Sequence, residues 1–183
     1  MSGALDDILV LDLTRNFASS MAAAFLADFG ARVIRFESLA GEARTTVSGT
    51  DAPLPGAWNH EADLIHRNKQ SFALDPALER GRVVLAELVA RCDVIVTDWP
   101  LAELAAFGLD YGSVVAQRGD IIVARISGFG PRGKDRDLPA IDELAAARPG
   151  MRPIGPEPGD PPVEAGAGLG TPAGGAGFGS GTA

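Results

Sequence analysis

The sequence predicts an α/β fold built on a mostly parallel sheet. Short apolar runs recur along the first two-thirds of the chain, and stretches with helical spacing of their apolar residues separate most of them. The runs are near-continuous rather than alternating, as strands covered on both faces require. Strand–helix–strand order brings right-handed crossovers, and ligands in such sheets settle beyond the carboxyl ends of the strands. The residues of interest are therefore those that follow Leu13, Glu37, Thr97 and Ile126.

The first strand is ILVLDL, residues 8–13, and Thr14 is placed to cap the helix after it. From Phe17 to Phe29, the residues Phe17, Met21, Phe25 or Leu26 and Phe29 share one helical face. Gly30 ends the helix, where glycine adopts a left-handed conformation cheaply, and ARVIRFE (31–37) is the second strand. Residues 38–66 read as a long irregular connection containing Pro53, Pro55, Trp58, His60 and His66. Connections of that length more often carry function than merely link. KQSFALD (69–75) supplies a further strand, and a helix runs from Pro76 to about Arg91 with Leu78, Val84 or Leu85, and Leu88 inward. DVIVTD (93–98) is the next strand, Leu101 to Phe107 a short helix closed by Gly108, and DIIVARISGF (120–129) another buried strand. Ala140 to Ala147 begins a last helix.

A length of 183 residues with 46% apolar content suits one domain with a real core. The formal charge of −8 disfavours nonspecific binding to nucleic acid or to an anionic membrane, but leaves room for a phosphate site made by local arginines. Cys92 is the single cysteine; it has no internal disulfide partner and reads as a small buried hydrophobe within VARCDVIV. MSGALDD lacks the basic and apolar segments of a signal peptide, and no apolar run reaches membrane-spanning length. A soluble, cytoplasmic protein is expected. Beyond Arg152 there is no Lys or Arg, glycine dominates, and little apolar material offsets the entropy of ordering. The expected organisation is a lobe over residues 1–150 followed by a mobile Gly/Pro-rich segment over 151–183.

Several chemistries find no support in the pattern. LDLTRNFASS, after the first strand, holds none of the glycines of a dinucleotide fingerprint, and neither a phosphate-cradling loop ending in Lys-Ser nor a nucleophile-elbow serine occurs. His60 and His66, with Glu61 and Asp63, match no compact metal motif, so no metal is expected. The candidates for holding an anion are Arg15, Arg35, Arg44, Arg67 and Lys69, which group near the predicted ligand-side loops. SGFGPRG (127–133) is either a tight surface turn or a loop that approaches a ligand closely.

The runs VLDLTR, FLADFGARVIRFE, NKQSFALD, DVIV, FGLDY, ISGFGPRG and PAID, in that order and spacing, resemble the N-terminal part of the family III CoA-transferases. That family includes formyl-CoA and carnitine CoA-transferases and the α-methylacyl-CoA racemases. The likeness runs from about Ile8 to Pro162. It implies a Rossmann-like CoA-binding domain, with coenzyme A or acyl-CoA as substrate. It also implies that this chain carries an incomplete, truncated part of the family's large domain. A homodimer or a catalytic partner chain would then cover the unfinished sheet, whose open apolar edge needs a cover.

By the family pattern, Asn16 and Phe17 lie beside the CoA backbone, and Arg35 approaches the nucleotide end. Asn68 and Lys69 form a basic motif near CoA, and Gly128, Phe129 and Gly130 belong to a glycine loop beside the acyl end. Pro100, Leu101 and Ala102 stand where the family often has Arg-Pro-Gly, so one donor is missing. Transferases of the family attack the thioester with an aspartate and pass CoA between carboxylic acids through a mixed anhydride. That aspartate falls on Thr171, whose hydroxyl has no histidine near it in sequence to act as base; Glu164 is a nearby carboxylate seven residues earlier. The racemases use a histidine before the aspartate matching Asp142, where this chain has Ile141, so racemase chemistry is disfavoured. No catalytic residue is assigned. The expectation is a CoA-transferase-like protein, inactive as an isolated chain; the alternatives are a non-catalytic CoA-binding or assembly subunit and a gene fragment.

Overall fold

A computed structural model describes residues 3–39, 60–136 and 138. These residues fall into two units, the first reaching from the N-terminal part to Ile126 and the second beginning at Ser127. Among the described residues, the first unit holds five strands: β1 (Leu9–Leu13), β2 (Arg32–Ser38), β3 (Lys69–Leu74), β4 (Val94–Thr97) and β5 (Ile122–Arg125). They form one parallel sheet in the order β3-β2-β1-β4-β5. Its helices are α1 (Phe17–Asp28), α2 (His60–His66), α3 (Glu79–Arg91), α4 (Leu101–Ala106) and α5 (Tyr111–Gln117). Strand order reverses between β1 and β4, so the turns leaving these two strands flank the switch point of the sheet.

Register assigns the two faces. Val10 pairs with Val33 and Val94, and Asp12 pairs with Arg35 and Val96; side chains on one strand share a face every second residue. Val10, Val33 and Val96 pack with Ala23 and Ala27 of α1 and with Ala31. On the opposite face Leu11, Leu13, Phe36 and Ile95 pack with Leu85 and Val89 of α3, Leu104 of α4, Val114 of α5 and Trp99. Cys92 belongs to this second core, and burial pushes its thiol pKa up to about 11, which leaves it a small hydrophobe.

Several local expectations are corrected. The buried face of α1 is Ser19, Ser20, Ala23, Ala24 and Ala27, whereas Phe25 and Phe29 are 53% and 62% exposed. Small side chains let this helix lie close on the sheet, and that outweighs the apolar preference of the phenylalanines. Asn16 rather than Thr14 caps α1: its Oδ1 accepts from Ser19 N at 3.1 Å, while the Thr14 hydroxyl turns to Asp12. On α3 the buried residues are Gly81, Leu85 and Val89, and Leu78 is an exposed N-cap. Gly81 is needed there, because a Cβ would overlap the Asp75 carbonyl group where the helix starts against the turn after β3. The connection over 38–66 ends in a helix, α2, too short to show a period; α5 is similarly short and is fixed by Asp110 accepting from Ser113 N and Oγ.

In the second unit Gly128, Phe129 and Gly130 are buried, and Gly130 and Gly133 have φ of 77° and 94°. Arg44, Trp58, the helix expected over 140–147, the boundary near 150 and the segment 151–183 lie outside the described residues. No helix among the described residues is long and apolar enough to cross a membrane.

Candidate functional site

A buried ion pair anchors the α1 side of the sheet. Lys69 pairs with Val33 in β2, which pairs with Val10 in β1, so its stem crosses β2 to reach Asp12. Its Nζ lies 2.7 Å from Asp12 Oδ2 and donates to the Ser20 carbonyl at 2.8 Å, and the two side chains are 1% and 0% exposed. Asp12 Oδ1 accepts from Thr14 N at 3.0 Å and Thr14 Oγ1 at 2.6 Å, and Thr14 Oγ1 lies 2.8 Å from Ser20 Oγ. The carboxylate therefore fixes both the exit of β1 and the first turns of α1. Burial lowers the Lys69 pKa, and the Asp12 charge opposes that shift.

Arg35 sits beside Asp12 in register, 4% exposed, with Nη1 3.7 Å from Glu37 Oε1. His66, the last residue of α2, holds a buried Nδ1 with no hydrogen-bond partner among the described residues. Burial, and then the charges of Arg35 and Lys69, lower its pKa to about 4. The folded value lies below the ordinary 6.5, so the unfolded chain takes the proton more readily. The His66 contribution to stability is complete above pH 6.5 and is lost as pH falls from there toward 4. The urea midpoint is expected to drop across that window, and the drop should be shallower in His66→Asn; parallel profiles would refute this assignment.

At the switch point a second carboxylate joins the two turns. Asp98, directly after β4, accepts on Oδ2 from Arg15 N and Asn16 N, both at 2.8 Å, and from Ser19 Oγ at 2.5 Å. Burial raises its carboxyl pKa, while Ser19 and the two backbone donors pull it back. Arg15 returns the connection: its guanidinium forks onto Glu103 at 2.9 and 2.5 Å and lies 4.0 Å over the Trp99 ring.

The structure brings some of the sequence-predicted residues together and separates others. Asn16 and Phe17 open α1 at the switch point, and Arg35 lies on the same sheet face as Asp12. Lys69 is internal, with two of its ammonium donors taken by Asp12 and Ser20. Asn68 adopts φ 60° and donates to Asp28 Oδ1 at 2.9 Å beside the Arg67–Asp28 ion pair. This contact lies at the last turn of α1, at the amino edge of the sheet and away from Asn16. Gly128, Phe129 and Gly130 belong to the second unit. Ile141, Asp142, Glu164 and Thr171 lie outside the described residues. Sequence reasoning missed Asp12 and Asp98. An acid inside the otherwise apolar VLDL was a signal of a buried partner, whereas Asp98 gave only the weak signal of an acid ending a strand. Among the described residues, no group of three or more His, Cys, Asp or Glu is arranged to hold a metal ion.

The sequence model of a family described as CoA-transferase family III matches residues 5–182. The chain belongs to that family. Similar family III relatives include a cinnamoyl-CoA:phenyllactate CoA-transferase of Clostridium sporogenes, 35% identical over 75% of this chain and 34% of the relative. The human succinyl-CoA:glutarate CoA-transferase is 34% identical over 86% of this chain and 36% of its own length. Among solved structures, a CAIB/BAIF family protein from Brucella suis superposes with a TM-score of 0.75 at 29% identity, covering 92% of this chain and 45% of that one. Rv3272 from M. tuberculosis gives a TM-score of 0.76 at 29% identity, covering 92% and 46%. This family III chain thus spans less than half the length of these relatives.

Proposed function

We propose that the first unit is the CoA-holding lobe of a protein that moves CoA between carboxylic acids. One observation supports this above the rest. In a chain of family III, the parallel sheet gathers Asp12, Arg35 and Glu37 toward the strand ends and Asp98 at the switch point, the edge where open α/β sheets take ligands. On this reading Asn16 and Phe17 border the CoA arm and Arg35 serves its phosphates. Arg35 is buried beside Glu37, so reaching a phosphate exchanges one charged contact for another. Asn68 and Lys69 support this lobe by fastening α1 and β3 rather than by touching ligand.

A second reading, a CoA-binding lobe that draws its reacting carboxylate from a partner chain or a second copy, is favoured by Thr171, which stands where the family pattern has its aspartate. Calorimetric titration of the folded 183-residue chain with CoA and acetyl-CoA tests the shared core of both. Saturable binding is expected, weakened about tenfold in Arg35→Gln through loss of a charge-assisted contact. A chain that is folded by circular dichroism and takes up no CoA overturns the proposal. Turnover of acyl-CoA with a free acid by the chain alone would discard the second reading.

A further inference from the structure

Thr14, Arg15 and Asn16 lead from β1 into α1, and the N–H group of each ends on a carboxylate. Thr14 N donates to Asp12 Oδ1 at 3.0 Å, and Arg15 N and Asn16 N donate to Asp98 Oδ2, both at 2.8 Å. This turn is therefore held from β1 and from the residue after β4 at once. The other polar atoms of Asn16 are engaged as well, save one. Its carbonyl accepts from Ser20 N at 3.0 Å. Its Oδ1 accepts from Ser19 N at 3.1 Å and lies 2.6 Å from the Ser19 hydroxyl. A backbone N–H can only donate, so the side-chain atom facing it is the oxygen, and the amide cannot turn round without losing the cap. That leaves Nδ2, which has no hydrogen-bond partner among the described residues and is not shut off from solvent.

The neighbouring side chains do not compete for the same role. Thr14 Oγ1 is engaged with Asp12 and Ser20, Arg15 grips Glu103 while lying over the Trp99 ring, and Phe17 is apolar. An amide whose oxygen is locked onto its own helix is a donor with a set position, and little ordering is left for a ligand to impose. The Asp98 charge, held against the Asn16 backbone, decides which acceptor suits that donor. A phosphate brought to Nδ2 would be repelled by this carboxylate, whereas a neutral carbonyl oxygen would not.

We propose that Asn16 is a specificity-determining residue of the CoA site, donating from Nδ2 to an amide carbonyl oxygen of the pantetheine arm. The inference rests on the CoA reading above and deepens it. The contact at the start of α1 is a side-chain donor to a neutral part of the ligand, and Asp98 holds that donor in place.

Asn16→Ser and Asn16→Thr each keep an oxygen that caps α1, and each removes the Nδ2 donor. CoA and adenosine 3′,5′-bisphosphate, which lacks the arm, are titrated into the full chain and both variants, with urea midpoints measured alongside. CoA is expected to bind each variant about fivefold more weakly, the scale of one neutral hydrogen bond. The midpoints should stay close to wild type, and the bisphosphate should not distinguish the variants from it. Folded variants that bind CoA as tightly as wild type overturn the donor role. A loss of affinity matched by a fall in midpoint makes Asn16 a helix cap and nothing more, which overturns it too. An equal loss for the bisphosphate puts the donor on a phosphate and overturns the assignment to the arm. In all three cases the wild type still binds CoA; a folded wild type that takes up none overturns the CoA reading and this inference with it.

Discussion

Lys69→Met is expected to destabilise the chain by about 3–5 kcal/mol, the usual cost of removing one member of a buried ion pair. The methionine fills much of the lysine volume, so the loss is electrostatic: Asp12, with no exposed side-chain surface, would keep its charge without the ammonium 2.7 Å away. The Ser20 carbonyl would lose its donor as well. In Asp12→Asn/Lys69→Met the stranded charge is gone, and the double variant is expected to be more stable than Lys69→Met alone. Urea denaturation of the wild type, both single variants and the double variant completes the cycle. A Lys69→Met midpoint close to wild type would mean that Asp12 finds solvent, and the account of a sealed pair would fail. The effect should also reach the ligand edge, because Asp12 holds Thr14, Thr14 contacts Ser20, and both border the turn that carries Asn16.

The parts of this fold that were legible in sequence are those fixed by local composition. Continuous apolar runs such as VIRF and DVIV announce strands whatever lies beside them, and their alternation with helical stretches implies a parallel sheet. Strand order is different in kind. Nothing local distinguishes β4 beside β1 from β4 beside β3, because that choice is made by helices packing on opposite faces. The inward face of α1 was misread because alanine and serine signal burial weakly, while Phe25 and Phe29 signal it strongly and yet lie outside. The place of Arg35 in a strand was legible, and register sets it beside Asp12. The internal use of Lys69 was not legible, since it depends on a register that carries its stem across β2 to a carboxylate 57 residues earlier. Asp98 was invisible for a similar reason: its partners Arg15, Asn16 and Ser19 approach only once β1 and β4 are neighbours.

Trp99→Ala should cost about 3–5 kcal/mol, as large aromatic truncations in packed cores do. Trp99 is 1% exposed and stands edge-on to Phe36 of β2 at 5.6 Å and to Phe107, just beyond α4, at 6.0 Å. One ring thus joins the strand that carries Arg35 to the helix that carries Glu103. Its Nε1 is buried with no hydrogen-bond partner among the described residues, so Trp99→Phe forfeits volume but no hydrogen bond and should lose clearly less than the alanine variant. If the two substitutions cost the same, the indole nitrogen has a partner that outweighs its packing. Arg15 supplies a finer test, because it lies over the same ring while gripping Glu103. A double-mutant cycle between Arg15→Ala and Trp99→Phe should return a coupling of less than about 1 kcal/mol, since phenylalanine retains part of the cation–π attraction. The cycle with Trp99→Ala should return more. That ordering would tie the packing of the apolar core directly to the latch across the switch point; equal coupling in both cycles would make Trp99 a filler of the core and nothing else.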